Sequence, residues 1–320
     1  SFLSQEVDFE IEIIIADDCS VDETRSIIEG YHREHSGKIV PILHNKNIGC
    51  VENFKSAFSK ARGRYISICE GDDYFLDSKK LQIQRDHMVK NQNCYLCFHD
   101  VKFFFEDNFN EDFIFPKDKV ELLKDKFDSG DLLKRNFIQT NSALYRNNPD
   151  AIREICKIDN NVMPLDWLLH LIFSKYGEIH YIEKCMSLYR IHEQGMWYLS
   201  HMANPKNQMI KNFSKIFYCF QDMLKFLGDS ESHRRIIIEH IRKLFFSLSI
   251  LSEDERRSVI ENTDIAVQMN NFLISFYLNE DGHELGYLPV PASKKYGIKH
   301  RFINLISRII GLKRIFKKVK

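Results

Sequence analysis

No stretch of this sequence holds the roughly eighteen consecutive apolar residues that a membrane-spanning helix needs, so none of it is expected to cross a bilayer. Net charge is missing too: 45 lysines and arginines face 45 aspartates and glutamates. A chain so balanced lacks the basic field that nucleic acid attracts, which excludes nucleic acid as a bulk partner. Internal repeats and low-complexity tracts are absent. The eight cysteines (Cys19, Cys50, Cys69, Cys94, Cys97, Cys156, Cys185 and Cys219) lie in apolar or helical patterns, without the spacing of a disulfide scaffold. Free thiols and a reducing cytoplasm are therefore expected. Cys94 and Cys97 form a C-x-x-C, but residues three apart in a strand face opposite sides, which argues against a shared metal or a redox pair. An initiating methionine and a secretory signal are also lacking; the chain opens at Ser1 and reads as starting mid-protein.

What is present is alternation. Hydrophobic residues make up 44% and charged residues 28%, the balance of a globular protein. Glu10 to Ala16 (EIEIIIA) reads as a strand, and Asp22 to Glu34 as a helix behind an Asp22 cap. Lys38 to Leu43 is a second strand, and Val51 to about Arg62 a helix with Val51, Phe54, Ala57, Phe58 and Ala61 on one face. RYISICE is a third strand, Ser78 to Lys90 a helix, and Cys94 to Phe105 a fourth strand. Strands separated by single helices predict parallel pairing in an open α/β sheet. Beyond residue 116 the alternation weakens. Asp128 to Arg135 and Leu165 to Tyr176 read as helical, TNSALYR, EIHYI and MSLYRIH as extended, and Asn207 to Tyr277 as helix after helix.

In open α/β sheets, ligands bind beyond the carboxyl ends of the strands. Two acid pairs are expected there: Asp17 and Asp18 after EIIIA, and Asp72 and Asp73 after YISICEG. Adjacent aspartates beside Gly71 suit a hard divalent cation that also binds phosphate oxygens, although Asp and Gly are equally ordinary in a turn. Asp166, in MPLDWLLHL, stands at the start of an apolar helix, where it is either an N-cap or a general base.

In order along the chain, EIIIADDCSVDET, NKNIG with Asn53, RGRYISICEGDDYF, LDW and YRIHEQGMW resemble the motifs of family 2 inverting glycosyltransferases over roughly residues 1 to 200. The resemblance implies a GT-A type open mixed sheet with flanking helices, followed by a C-terminal helical region. It divides the chain into a glycosyltransferase domain at 1–200, a helical bundle at 201–285 and a basic amphipathic tail at 286–320. It also implies that about two dozen N-terminal residues, including the first strand, are missing.

On that resemblance Asp17, Asp18, Asn47 and Asp72 hold the nucleotide-sugar donor, with a UDP-sugar favoured. Asp73 ligates Mg²⁺ or Mn²⁺ with His192 beside it, and Asp166 is the catalytic base. His99, Thr140, Asn141 and Trp197 fall on the acceptor side, where a glycan or lipid-linked alcohol is expected. His99 with Asp100 ends the fourth strand; Thr140 and Asn141 are equally a polar strand start, His192 a structural histidine and Trp197 a core tryptophan.

From Lys294 to Lys320 there is no acid, and Phe302, Leu305, Ile306, Ile309, Ile310, Leu312 and Phe316 recur at helical spacing among basic residues. Such a tail suits an anionic membrane surface or docking on the bundle. A peripheral place at the inner face of the plasma membrane, in cell-surface polysaccharide synthesis, follows as an expectation. Two rival readings share the acids: a nucleotidyltransferase acting on a sugar phosphate, and a non-catalytic receiver-like binding module.

Overall fold

The structure is a computed structural model that describes residues 1–106, 111–121, 123–195, 198, 205–228 and 230–261. Trp197 and the basic tail lie outside the described residues.

The chain opens with β1 (Ile13–Asp17), α1 (Thr24–Glu34), β2 (Ile39–Leu43) and α2 (Cys50–Lys60). β1 and β2 pair in parallel, with Ala16 opposite Ile42, as the intervening helix dictates. The expected Asp22 cap shifts by one residue: Glu23 occupies the N-cap of α1 without a side-chain cap bond, and Asp22 accepts from Thr24 N just ahead of it. Gly49 leads into α2 with φ of +88°, a conformation that a side chain would strain.

Next come β3 (Tyr65–Ser67), β4 (Tyr74–Phe75), α3 (Lys80–Lys90), β5 (Cys94–Phe105), β6 (Phe113–Phe115), β7 (Lys126–Phe127), α4 (Ser129–Lys134), β8 (Leu144–Arg146), α5 (Pro149–Ile155), α6 (Leu165–Ser174) and β9 (Glu178–Ile191). β3, β8, β5, β9 and β4 lie side by side, with β6 on β5 and β7 on β9. Only β5 and β9 are parallel; β3–β8, β5–β8 and β4–β9 are antiparallel, so the sheet is mixed.

Several local expectations change. RYISICE keeps its strand only to Ser67, and Glu70 to Asp73 form a turn closed by Asp73 N donating to Glu70 O, 3.2 Å. EIHYI and MSLYRIH are one 14-residue strand, β9. TNSALYR splits into a 3₁₀ turn at Thr140–Ser142 and β8. Cys94 and Cys97 pack in one cluster with Met88 and Leu144 rather than on opposite faces. A register shift between Cys94 and Leu96 breaks the two-residue period and turns both thiols to the same side.

α6 is apolar on every side, and Leu168 through Ser174 are all buried. A helix of that kind has no face for water and must be enclosed. Tyr145 of β8 and Phe173 pack as tilted rings with centres 4.4 Å apart on one side, while Phe220 of α7 (Pro205–Leu227) meets Trp167 edge-on on another. α7, α8 (Glu231–Ser247) and α9 (Glu253–Glu261) complete the described chain. Phe213, Phe217, Ile237 and Ile241 from this region share one core with Leu168, Leu96 and Phe58. Each such side chain contributes on the order of 2 kcal/mol by leaving water. Among the described residues no helix is long and apolar enough to cross a membrane.

Candidate active site

The turn after β1 brings the first acid pair into place. Asp17 is buried and accepts from Ser20 N at 3.2 Å, with Arg25 Nε 3.6 Å away. Asp18 reaches across to the start of α2, where its two oxygens accept from Ile48 N (2.6 Å) and Gly49 N (2.9 Å). Asn47 is exposed and donates its amide to Asp18 O at 3.4 Å. Asn53 in turn ties α2 to the end of β1 by donating to Ala16 O. The expected donor residues Asp17, Asp18 and Asn47 thus form one hydrogen-bonded corner at the carboxyl end of the β1–β2 pair.

The Glu70–Asp73 turn delivers the second set. Asp73 is only 7% exposed, and both its oxygens are engaged: Oδ1 accepts from Arg190 N at 3.0 Å and Oδ2 from Asn141 Nδ2 at 2.8 Å. Asp72 instead faces outward, with a side chain 39% exposed, and His192 Nε2 lies 3.1 Å from its Oδ2. Gly71 does not need a glycine backbone conformation, and a Cβ there would meet nothing within 4 Å, so the turn leaves open space beside Asp72.

Glu70, which is not among the site residues expected from the sequence, is half-buried, with its Oε2 shut off from solvent. Burial, then the fields of Asp73, Asp166 and Asp72, hold its carboxyl well above the ordinary range, and in that protonated form it donates to Asp73. Burial and then Asp72 push Asp73 up to about 7, against the bonds from Arg190 and Asn141. The signal for Glu70 was present in the sequence: E-G-D-D places three acids on one turn, and a tight turn cannot separate them.

Asp166 occupies the first turn of α6. It is not the N-cap; that place belongs to Pro164. Asn136 Nδ2 donates to its Oδ2 at 3.1 Å, and Trp167 N–H supports it. Burial raises its pKa against those two bonds. Trp167 is fixed by its own indole N–H, which donates to Leu132 O at 2.8 Å.

The three acid groups share one region. The Cys50 thiol is raised by burial and then by Glu70, Asp18 and Asp166 together. Tyr189 is raised by burial and by Glu70, Asp73, Asp72 and Asp166. Cys50 thus links Asp18 to Glu70 and Asp166, and Tyr189 links the Glu70–Asp73 turn to Asp166. Among the described residues none of Glu70, Asp72, Asp73 and Asp166 is ion-paired to lysine or arginine; Asp72 has His192. A cluster of carboxyl groups without a lysine or arginine partner fits a hard divalent cation.

The remaining expected residues sit behind this region. His99 is completely buried within the sheet, 3.5 Å from Ser187 Oγ, and burial with nearby Lys80 drives its pKa well below the usual histidine value. Thr140 and Asn141 are buried in the 3₁₀ turn, and Asn141 also donates to Leu188 O. The three residues expected on the acceptor side are thus all buried, and Asn141 braces Asp73. The turn that carries Thr140 and Asn141 packs against β5 and β9.

Comparison with known proteins follows the same lines. The family model for glycosyl transferase family 2 matches residues 1–192. The chain is 39% identical over 206 residues to the uncharacterised protein Rv1520 of Mycobacterium tuberculosis, covering 64% of this chain and 57% of that protein. It thus spans little more than half the length of that relative. It is 24% identical over 222 residues to the putative teichuronic acid biosynthesis glycosyltransferase TuaG of Bacillus subtilis, covering 67% and 83% of the two chains. The fold resembles that of S. aureus TarS 1–349, with a TM-score of 0.53 at 14% identity, over 86% of this chain and 73% of that one. The mixed sheet with its flanking helices, the converging acids and the match over residues 1–192 agree: the chain belongs to glycosyl transferase family 2.

Proposed function

We propose that this protein transfers a sugar, with inversion, from a nucleoside diphosphate donor to an alcohol on a glycan or a lipid-linked glycan, in the building of a surface polysaccharide. The single observation that supports this most is the convergence of Asp18, the Glu70–Asp73 turn and Asp166 on one region, since the reaction needs a nucleotide grip, a cation and a base together. TuaG, by its name, belongs to teichuronic acid biosynthesis, which favours a polysaccharide product.

In this reading Asp17, Asp18 and Asn47 line the nucleotide end and favour a uridine diphosphate donor. Asp72 and His192 hold the ion, because they are the exposed pair, while Asp73 and Asn141 position the turn from beneath. This reverses the duties expected of the two aspartates. When bound, Mg²⁺ or Mn²⁺ supplies positive charge to the departing diphosphate. Asp166 accepts the proton of the acceptor hydroxyl as its oxygen attacks the anomeric carbon from the face opposite the nucleotide. A raised carboxyl pKa suits that duty, since it brings the base nearer the operating pH.

The test is turnover of a nucleotide-sugar panel by the full-length protein with Mn²⁺, following nucleoside diphosphate release and the anomeric configuration of the product. Retention of configuration, or release of pyrophosphate from a sugar phosphate and a nucleoside triphosphate, would exclude the proposal.

A further inference from the structure

At the opposite end of β5 from the candidate active site, three ligand-type atoms from three rigid elements meet. His87 Nε2 comes from the last turn of α3, Cys94 Sγ from the first residue of β5 and His180 Nδ1 from β9, and all three lie within 4.8 Å of one another. Cys94 and His180 are buried and His87 is half-buried, so the cluster opens on one side. The two imidazoles stand nearly perpendicular, 80° apart with ring centres at 5.1 Å.

We infer that His87, Cys94 and His180 form a second metal site, selective for a borderline-soft transition ion such as Zn²⁺. Two imidazole nitrogens and a thiolate are the donor set that zinc takes, with the fourth tetrahedral position open to water on the His87 side. Glu178 supplies the outer support: its Oε2 accepts from His180 Nε2 at 2.7 Å, so the proton sits on Nε2 and the Nδ1 lone pair points at the cluster. Without an ion, His87 Nε2 donates to that lone pair at 2.9 Å and the Cys94 thiol to Leu96 O at 3.4 Å. A tetrahedral ion at 2.0–2.1 Å from each nitrogen needs them about 3.3 Å apart, so the rings part by only a few tenths of an ångström. His87 moves its proton to Nδ1, and Cys94 releases its proton to solvent. Lys126 also lies on Glu178, at 2.8 Å, and its charge moderates but does not displace the His180 bond. The set contains too few oxygens for Mg²⁺, which separates it chemically from Asp72 and His192. By tying α3 to β5 and β9, the ion clamps the elements that carry Asn91, Lys80 and, at the far end of β9, Arg190.

The full-length protein, stripped of metal, is titrated with Co²⁺ as a spectroscopic substitute for Zn²⁺. One equivalent is expected to raise a thiolate-to-cobalt charge-transfer band that Zn²⁺ bleaches. The band is expected to vanish in Cys94→Ser and to persist in Asp72→Asn; His87→Gln, on the half-buried ligand, weakens Zn²⁺ binding at least tenfold and covers the case in which the cysteine variant fails to fold. No band in the wild-type protein, a band retained in Cys94→Ser, or unchanged Zn²⁺ affinity in His87→Gln overturns the assignment.

Discussion

His192 and Asp72, 120 residues apart in the chain, meet with Nε2 3.1 Å from Oδ2. β9 makes the meeting possible: Tyr74 pairs with Leu188, so the turn that carries Asp72 is anchored antiparallel to the strand that ends at Ile191. The contact is a direct consequence of strand register.

Removing either partner should therefore weaken the ion more than the fold. Asp72→Asn and His192→Ala are expected to lower Mn²⁺-dependent turnover by about 10²-fold or more, the scale of losing one electrostatic contact to developing charge. Mn²⁺ affinity read by electron paramagnetic resonance should fall in parallel, while the melting temperature of the metal-free protein stays within a few degrees. Full Mn²⁺ binding by both variants would remove Asp72 and His192 from the metal site.

Burial of Glu70 and Asp73 gives the metal-free protein a pH-dependent stability of definite sign. Ordinary values are 4.5 for Glu and 3.8 for Asp, whereas in the fold Asp73 rises to about 7 and Glu70 rises well above its own. Between those limits the folded state binds more protons than the unfolded chain, so stability is full below about pH 4 and is lost as pH climbs through about 7. Glu70→Gln keeps a donor toward Asp73 without a charge to ionise. Urea midpoints across that window, in chelator, should fall with pH in the wild type and fall less in Glu70→Gln; Mn²⁺ should restore the wild type at the upper end. Parallel slopes in the two proteins would rule out Glu70 as a source.

Lys80 acts in the opposite sense and at higher pH. It is wholly buried, with Nζ 2.8 Å from Gln84 Oε1, 3.2 Å from Ser67 Oγ and 4.0 Å from the centre of the Phe75 ring. Burial lowers its pKa from 10.5 to about 7, so the fold gains stability as pH rises above about 7 toward the free-lysine value. Lys80→Met removes that gain and leaves Gln84 Oε1 without its donor, a loss of about 1–3 kcal/mol. The deficit of the variant should be smallest near pH 6 and widen toward pH 9.5, as measured by calorimetry. A pH-independent difference would contradict a neutral buried lysine.

How far the sequence disclosed this arrangement depends on the range of the forces involved. Cys94 to Phe105 was legible to the residue as β5, because a long β-rich run needs no distant partner to be recognised. β3 was cut short at Ser67, because pairing with Leu144–Arg146 supplies its hydrogen bonds and β8 is only three residues long. The acids were legible as a set, since their types and order survive in one dimension. Which way each side chain faces was not: Asp72 and Asp73 differ only in how a turn points them, and that is decided by Arg190 and Asn141, far away in sequence. His99 lies inside β5, between β8 and β9, and its complete burial there depends on strand neighbours that are distant in sequence. The expected placing of Cys94 and Cys97 on opposite faces gave way to a bulge, which a two-residue period cannot anticipate.

Asp166 carries the sharpest chemical prediction. Its carboxylate is held by Asn136 Nδ2 and by the Trp167 N–H, both donors that an asparagine oxygen can still satisfy, so Asp166→Asn should fold normally. What the variant lacks is basicity. Turnover should fall by about 10²- to 10⁴-fold, the usual contribution of a general base, with nucleotide affinity by calorimetry unchanged. In the wild type, kcat should rise with pH along a limb set above the ordinary aspartate value of 3.8, because burial outweighs the two hydrogen bonds. That limb should disappear in the variant. Loss of nucleotide affinity together with turnover would assign Asp166 to donor binding, and a retained limb would place the base on another residue.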